Sequence, residues 1–146
     1  MKLEIKELSL ENIDRICEIE SESFSMPWKK DDFLGLIRDN NSEYIVVYCD
    51  GIPVGTAGYT FNGFEGYINN VVIDKSFRGR GISKVLMEEL LKSGRGKNIN
   101  EFTLEVRVSN IPAVKLYESL GFKSEGIRKN FYERPTEDAN VMWLRY

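Results

Sequence analysis

Apolar positions along the chain change their spacing several times, and each change marks an element. Leu3 and Ile5 alternate with charges, as a half-buried strand does. Ser9 is placed to cap a helix carrying Ile13, Ile16 and Cys17 on one face. Pro27-Trp28 interrupts, and Lys29 to Arg38 then brings Phe33, Leu34 and Ile37 round at helical spacing. Tyr44 to Cys49 is a continuous apolar run, read as a strand; Asp50-Gly51 turns it, and Pro53 to Phe61 returns. Asn62-Gly63 turns again into a fourth strand, Gly66 to Ile73. A glycine- and arginine-rich turn, Asp74 to Gly81, leads to a helix from about Ile82 to Lys92, with Ile82, Val85, Leu86 and Leu90 as its apolar stripe. Gly94 and Gly96 are expected to end that helix. Phe102 to Val108 is the next strand. Asn110 caps a helix with Pro112 in its first turn and Ala113, Leu116, Tyr117 and Leu120 on one face, and Gly121 supplies the stop. Val141 to Tyr146 closes the chain as a strand.

The order is βαα, three hairpin-linked strands, then αβαβ with further strand. It predicts an α/β (α+β) domain with a mixed sheet: antiparallel hairpins early, a crossover helix later. No repeat or linker divides residues 1–146, so one domain is expected. A chain of 146 residues can bury roughly 70% of its unfolded surface, enough for a sizeable core.

Composition narrows the chemistry. The chain contains no histidine, which removes Ser-His and Cys-His nucleophiles, imidazole bases and most catalytic zinc sites, so no metal is expected. Proton transfer must use carboxylate, Tyr, Lys, Cys or water. A net charge of −3 gives no general attraction to nucleic acid. Cys17 and Cys49 form no C-x-x-C pair, and Met1 to Glu7 lacks the apolar stretch of a leader. Reduced thiols and a cytoplasmic location are the expectation. The longest strongly apolar run is far short of the ~20 residues a membrane helix needs, so no membrane partner is expected.

Two constellations carry candidate chemistry. Arg78-Gly79-Arg80-Gly81-Ile82-Ser83-Lys84 lies between a predicted strand and a predicted helix. The first N–H groups of a helix lack internal partners, its dipole is positive there, and glycines admit an anion to the backbone. Lys75, Arg78, Arg80 and Lys84 add four cations to an otherwise acidic chain. A phosphate or pyrophosphate fits; a turn with solvated arginines is the plainer alternative. Neither a Walker A loop nor a Rossmann fingerprint can be written here. The second constellation is Glu105 and Tyr117. Glu105 lies mid-strand on the polar side, with Thr103, Arg107 and Ser109, where a cleft would raise its basicity and an open surface would leave it paired or solvated. Tyr117 lies on an apolar helix stripe, where core packing is the usual fate and proton donation to a departing thiolate is the functional alternative.

Together these pieces resemble the GNAT acetyltransferase superfamily. Arg78 to Ser83 is similar to its Q/R-x-x-G-x-G/A motif, with Ser83 in place of the final Gly or Ala. Val71-Val72-Ile73-Asp74 resembles the strand preceding that motif. Leu104 to Asn110 and Leu116 to Phe122 resemble the later motif pair. With Phe24 to Trp28 and Ile127 to Tyr132, the set is close to the ribosomal-protein-alanine N-acetyltransferase branch and spans nearly the whole chain. The resemblance implies a GNAT-like fold: a mostly antiparallel sheet with one splayed parallel pair and about four helices. It implies acetyl-CoA as co-substrate. Val71, Val72 and Ile73 would pair with the pantetheine arm. Gly79, Arg80, Gly81, Ile82, Ser83 and Lys84 would hold the pyrophosphate, and Asn110 would bond the coenzyme arm. Glu105 would be the general base and Tyr117 the general acid of a direct transfer. The acceptor would be a protein N-terminal amine, whose pKa of ~7.7–8.0 makes it an easier nucleophile than Lys at ~10.4. A small amine, a Lys side chain, or a catalytically silent acyl-CoA-binding module are the alternatives. Trp28, Phe24 and Tyr132 either wall a peptide groove or, for the first two, fill the core between the early helices. Glu133 and Asp138 either attract a cationic peptide or are simply solvated. A homodimer paired through the C-terminal strand is open.

Overall fold

The computed structural model describes residues 1–146. The elements run β1 (Leu3–Glu7), α1 (Ile13–Ser23), α2 (Lys30–Arg38), β2 (Ser42–Cys49), β3 (Ile52–Asn62), β4 (Glu65–Ile73), a 3-10 turn (Lys75–Phe77), α3 (Ile82–Gly96), β5 (Glu101–Arg107), α4 (Ile111–Ser119), β6 (Lys123–Tyr132) and β7 (Glu137–Arg145). All strands join one seven-stranded sheet in the order β1-β2-β3-β4-β5-β7-β6. Only β4 and β5 are parallel; the remaining pairs are antiparallel. The mixed, mostly antiparallel sheet with a single parallel pair and four helices is as expected.

Period-two alternation in β2 explains its unbroken apolar run. Tyr44, Val46 and Tyr48 pack with Ile13, Ile16, Ile19 and Phe33 of α1 and α2. Ile45, Val47 and Cys49 pack with Ile82, Leu86, Met87 and Leu90 of α3. Both faces of the strand are therefore covered. At ~25 cal/mol per Å2 of apolar surface removed from water, these two clusters supply the main favourable term in folding.

Four details depart from expectation. α1 begins at Ile13, not after Ser9: Ser9 opens a turn whose carbonyl accepts the N–H of Asn12 and Ile13. Asn12, buried, bonds back to Ser9 N–H at 2.9 Å and on to Glu7 O and Tyr48 Oη, tying the turn to β1 and β2. α3 runs through both Gly94 and Gly96. A Cβ at Gly94 would lie 2.4 Å from Phe102 Cζ, so glycine is there for close approach to β5, not to stop the helix. Val85 is 41% exposed and Ile37 is exposed also, while Met87 and Leu91 take core positions. Finally, β7 lies between β5 and β6, paired on both sides. The free edges are β1 and β6, so the C-terminal strand has no edge to offer a second copy.

The parallel pair is short. It holds only from Glu65↔Glu101 to Tyr67↔Thr103, whereas β5 stays paired to β7 as far as Arg107↔Ala139. Beyond Tyr67 the strands part. On the other side of β4, the ladder with β3 slips between Gly58↔Asn69 and Thr56↔Val72, a bulge with Asn70 in the left-handed region at φ 46°. The splay leaves one edge of β4 without a strand partner.

Candidate active site

A cleft of about 860 Å3 opens where β4 and β5 separate. Its walls come from the end of α1 and the segment after it (Glu20, Phe24, Met26, Trp28), from β4 (Tyr67 to Val71), from β5 (Leu104 to Arg107), from α4 and its cap (Asn110, Tyr117), and from the β6–β7 segment (Phe131 to Pro135). Glu105 and Tyr117 line the same cavity.

Glu105 is enclosed: its side chain is 5% exposed. The Tyr67 hydroxyl donates to Glu105 Oε1, and Arg128 Nε stands 3.9 Å from Oε2. Sequence reasoning missed Tyr67 and Arg128. A parallel register aligning Tyr67 with Thr103, two residues before Glu105, would have flagged the tyrosine. Burial, then the Glu105 carboxylate, push the Tyr67 phenol well above its ordinary value. Tyr117 is buried against Phe122 at 5.8 Å and has no hydrogen-bond partner in the protein. Burial pushes its phenol well up, so it stays protonated across the neutral and mildly alkaline range. Tyr132, beneath the Arg107 guanidinium at 4.5 Å, is pushed by burial up to about 12.

At the end of β4, Asp74 accepts the N–H of Ser76 at 3.0 Å and pairs with Arg15 of α1, fixing the turn into the glycine loop. Gly79 and Gly81 adopt φ of 78° and 76°, and a Cβ at either would meet nothing within 4 Å. They serve the turn and keep the approach open. The N–H groups of Gly79, Arg80 and Gly81 reach no backbone acceptor, and those of Ile82, Ser83 and Lys84 fall in the first helical turn, where none exists. The four cations divide. Arg78 is turned back to Ile73 O and Ser23 Oγ, and Arg80 lies over Phe77 with Ser76 O at 3.4 Å. Lys75 and Lys84 are exposed and form no ion pair.

The other expected residues sort as follows. Val71 faces the cleft, while Val72 and Ile73 are buried and paired to β3. Asn110 Oδ1 caps α4 through Ala113 N–H at 3.3 Å, leaving its amide NH2 unbonded on the cleft lining. Trp28 does both things considered for it: it packs on Phe33 and Tyr44 at 5.5 and 6.2 Å and also walls the cleft. Phe24 is half-exposed on the cleft and takes no part in the core. Glu133 borders the cleft; Asp138 instead accepts the N–H of Asn130 at 2.9 Å. Glu20 was not anticipated. It is 1% exposed, lies on the cleft, and its Oε2 accepts Trp28 N–H at 3.2 Å and Asn70 Nδ2 at 3.0 Å, while Oε1 has no partner. Its place four residues after Ile16 and seven after Ile13, on the apolar stripe of α1, was the available signal. No group of three or more His, Cys, Asp or Glu is arranged to hold a metal ion, and no helix is long and apolar enough to cross a membrane.

The cleft at the parting of β4 and β5 thus holds an enclosed carboxylate and a buried phenol, and the loop that follows β4 carries unpaired amides. The chain belongs to the GNAT acetyltransferases: residues 9–122 match the family model described as Acetyltransferase (GNAT) family. It is an N-acetyltransferase. A [ribosomal protein bS18]-alanine N-acetyltransferase of Salmonella typhimurium (strain LT2) is 32% identical over 143 residues, covering 94% of this chain and 93% of its own. The crystal structure of the ribosomal-protein-S18-alanine N-acetyltransferase from Escherichia coli superposes with a TM-score of 0.91 at 27% identity, covering 99% of this chain and 94% of that one. The NatC complex bound to Gag peptide and CoA contains a chain of the same fold, TM-score 0.89 at 22% identity, covering 100% of this chain and 99% of that one.

Proposed function

We propose that this chain transfers the acetyl group of acetyl-CoA directly to the N-terminal α-amine of a protein, with the alanine terminus of ribosomal protein bS18 as the acceptor. The observation that carries the reading is a single one: an enclosed carboxylate, Glu105, and a buried, unpartnered phenol, Tyr117, share one cleft at the parting of β4 and β5. The names of the full-length relatives support the acceptor.

In this reading the unpaired amides from Gly79 to Lys84 hold the pyrophosphate, and Lys84 adds charge. The free edge of β4 at Val71 accepts the pantetheine amides as a strand accepts a partner, and the Asn110 amide bonds the same arm. The acceptor nitrogen attacks the thioester carbonyl carbon. Glu105, directly or through water, takes the proton that the nitrogen loses. Backbone donors of β4 face the oxyanion. When the C–S bond breaks, its electron pair goes to sulfur and Tyr117 gives that thiolate its proton. No covalent enzyme intermediate forms, in keeping with a chain that has no histidine to activate a nucleophile.

The test is acetyl transfer from acetyl-CoA to peptides beginning Ala, Ser or Met, against polyamines and an N-blocked lysine peptide. The bS18 N-terminal peptide is expected to have the highest kcat/KM. Tyr117→Phe should lower kcat at least tenfold while the calorimetric Kd for acetyl-CoA stays within about twofold, and Glu105→Gln should lower kcat by a similar factor with the same Kd. Preference for a polyamine or for lysine would replace the acceptor. Absence of heat with acetyl-CoA would overturn the reading.

A further inference from the structure

Arg107 lies two residues beyond Glu105 on β5, and its guanidinium is spent entirely on one neighbouring segment. Nη1 donates to Pro135 O at 2.9 Å and to Glu137 Oε1 at 3.1 Å; Nη2 donates to Glu133 O at 3.1 Å; the plane covers the Tyr132 ring at 4.5 Å. Tyr132 to Pro135 form the β6–β7 wall of the cleft. That segment makes a sharp turn, with Arg134 in the left-handed region at φ 54°. The two carbonyls bonded by Arg107 fall outside the β6–β7 ladder, which stops at Tyr132↔Glu137. Glu137 then carries the tie further: its second oxygen, Oε2, accepts the backbone N–H of Ser109 at 2.7 Å. Hydrogen bonds from Ser109 and Arg107 hold this carboxyl below the usual carboxylate range, so it is ionised at neutral pH. Ser109 precedes Asn110, the cap of α4, and α4 carries Tyr117.

We propose that the β6–β7 wall of the cleft is the side the acceptor peptide lies against, and that Arg107 is a positioning residue that sets this wall and, through Glu137, fixes it relative to the helix bearing Tyr117. The proposal rests on the acetyl-transfer reading above and adds to it a specific source of acceptor binding. A planar fork with several donors is what the arrangement requires: two carbonyls, a carboxylate and an aromatic face are engaged at once, and a lysine ammonium cannot reproduce that geometry. Unpinning the segment would lower the concentration of correctly placed acceptor without touching the glycine loop, which lies on a different stretch of chain.

The experiment uses the full chain with acetyl-CoA and the bS18 N-terminal peptide. In Arg107→Lys, KM for the peptide is expected to rise about tenfold or more, with kcat reduced less and the calorimetric Kd for acetyl-CoA within about twofold of wild type. Glu137→Gln keeps an acceptor oxygen and is expected to rise less. The double variant should be no worse than Arg107→Lys alone, because both act through one device. Hydrogen exchange supplies a readout independent of turnover: the amides of residues 133, 134 and 136–138 should exchange faster in Arg107→Lys, while those of 79–84 stay unchanged. If the wild type acetylates no peptide but exchange follows this pattern, the function fails and the tie stands. An unchanged peptide KM, equal weakening toward both substrates, or a uniform rise in exchange would overturn the proposal.

Discussion

Glu20 sits on the cleft with one oxygen doubly bonded and the other unpartnered, and burial pushes its carboxyl above the ordinary range despite the hydrogen bonds from Trp28 and Asn70. The sign of its effect on stability follows. The folded state holds the proton more tightly than the unfolded chain, so the stability this group contributes is present at low pH and is lost as pH rises through the folded value. Glu20→Gln keeps an acceptor for Trp28 and Asn70 without the charge. The melting temperature of the variant should therefore gain on wild type between pH 4 and pH 8; a constant difference would show that ionisation of Glu20 is not involved. Among single residues, Glu105 and Tyr117 could be named as candidates from resemblance, and the structure brings both to one cleft. Tyr67, Arg128 and Glu20 could not be so named, because each matters through a partner 38, 23 or 50 residues away in sequence.

At the scale of the element, α3 shows propensity yielding to packing. Glycine is unfavourable inside a helix by roughly 1 kcal/mol, which made Gly94 look like a terminator. Its place is set instead by Phe102 of β5, whose ring occupies the space a Cβ would need. Gly94→Ala should therefore destabilise by about 1–3 kcal/mol in urea unfolding, although alanine is the better helix former. A stabilised variant would mean that the ring yields freely. The same reasoning covers α1. Ser9 has the residue type of a cap, but the buried Asn12 side chain already ties the turn to β1 and β2, so the helix starts after Asn12. The α4 cap at Asn110 was legible because its determinants, Asn110 and Pro112, are local.

Across the whole molecule, charge is distributed against its total. The net formal charge is −3, yet the mouth of the glycine loop presents Lys75 and Lys84 unpaired beside open amides. A local positive field there would attract a pyrophosphate carrier over distances of about a Debye length, ~8 Å at physiological salt. Lys84→Gln should raise KM for acetyl-CoA several-fold at low salt with kcat little changed, and the difference should shrink in 0.5 M NaCl. A difference independent of salt would assign Lys84 a packing role instead. Arg78 serves a different end: its bonds to Ile73 O and Ser23 Oγ brace the loop against β4 and α1.

The chain by itself determined the element order as far as α4, the hairpins and the glycine bend before α3, because turn residues, caps and apolar spacing act over a few positions; Glu105 and Tyr117 were paired through the family resemblance. Tertiary structure alone decided where β4 and β5 part, that β7 lies inside the sheet, and which side chains from distant segments meet in the cleft. Those outcomes depend on strand register and on the Asn70 bulge. Register is a balance of contacts between segments far apart in sequence, and local periodicity carries no record of it.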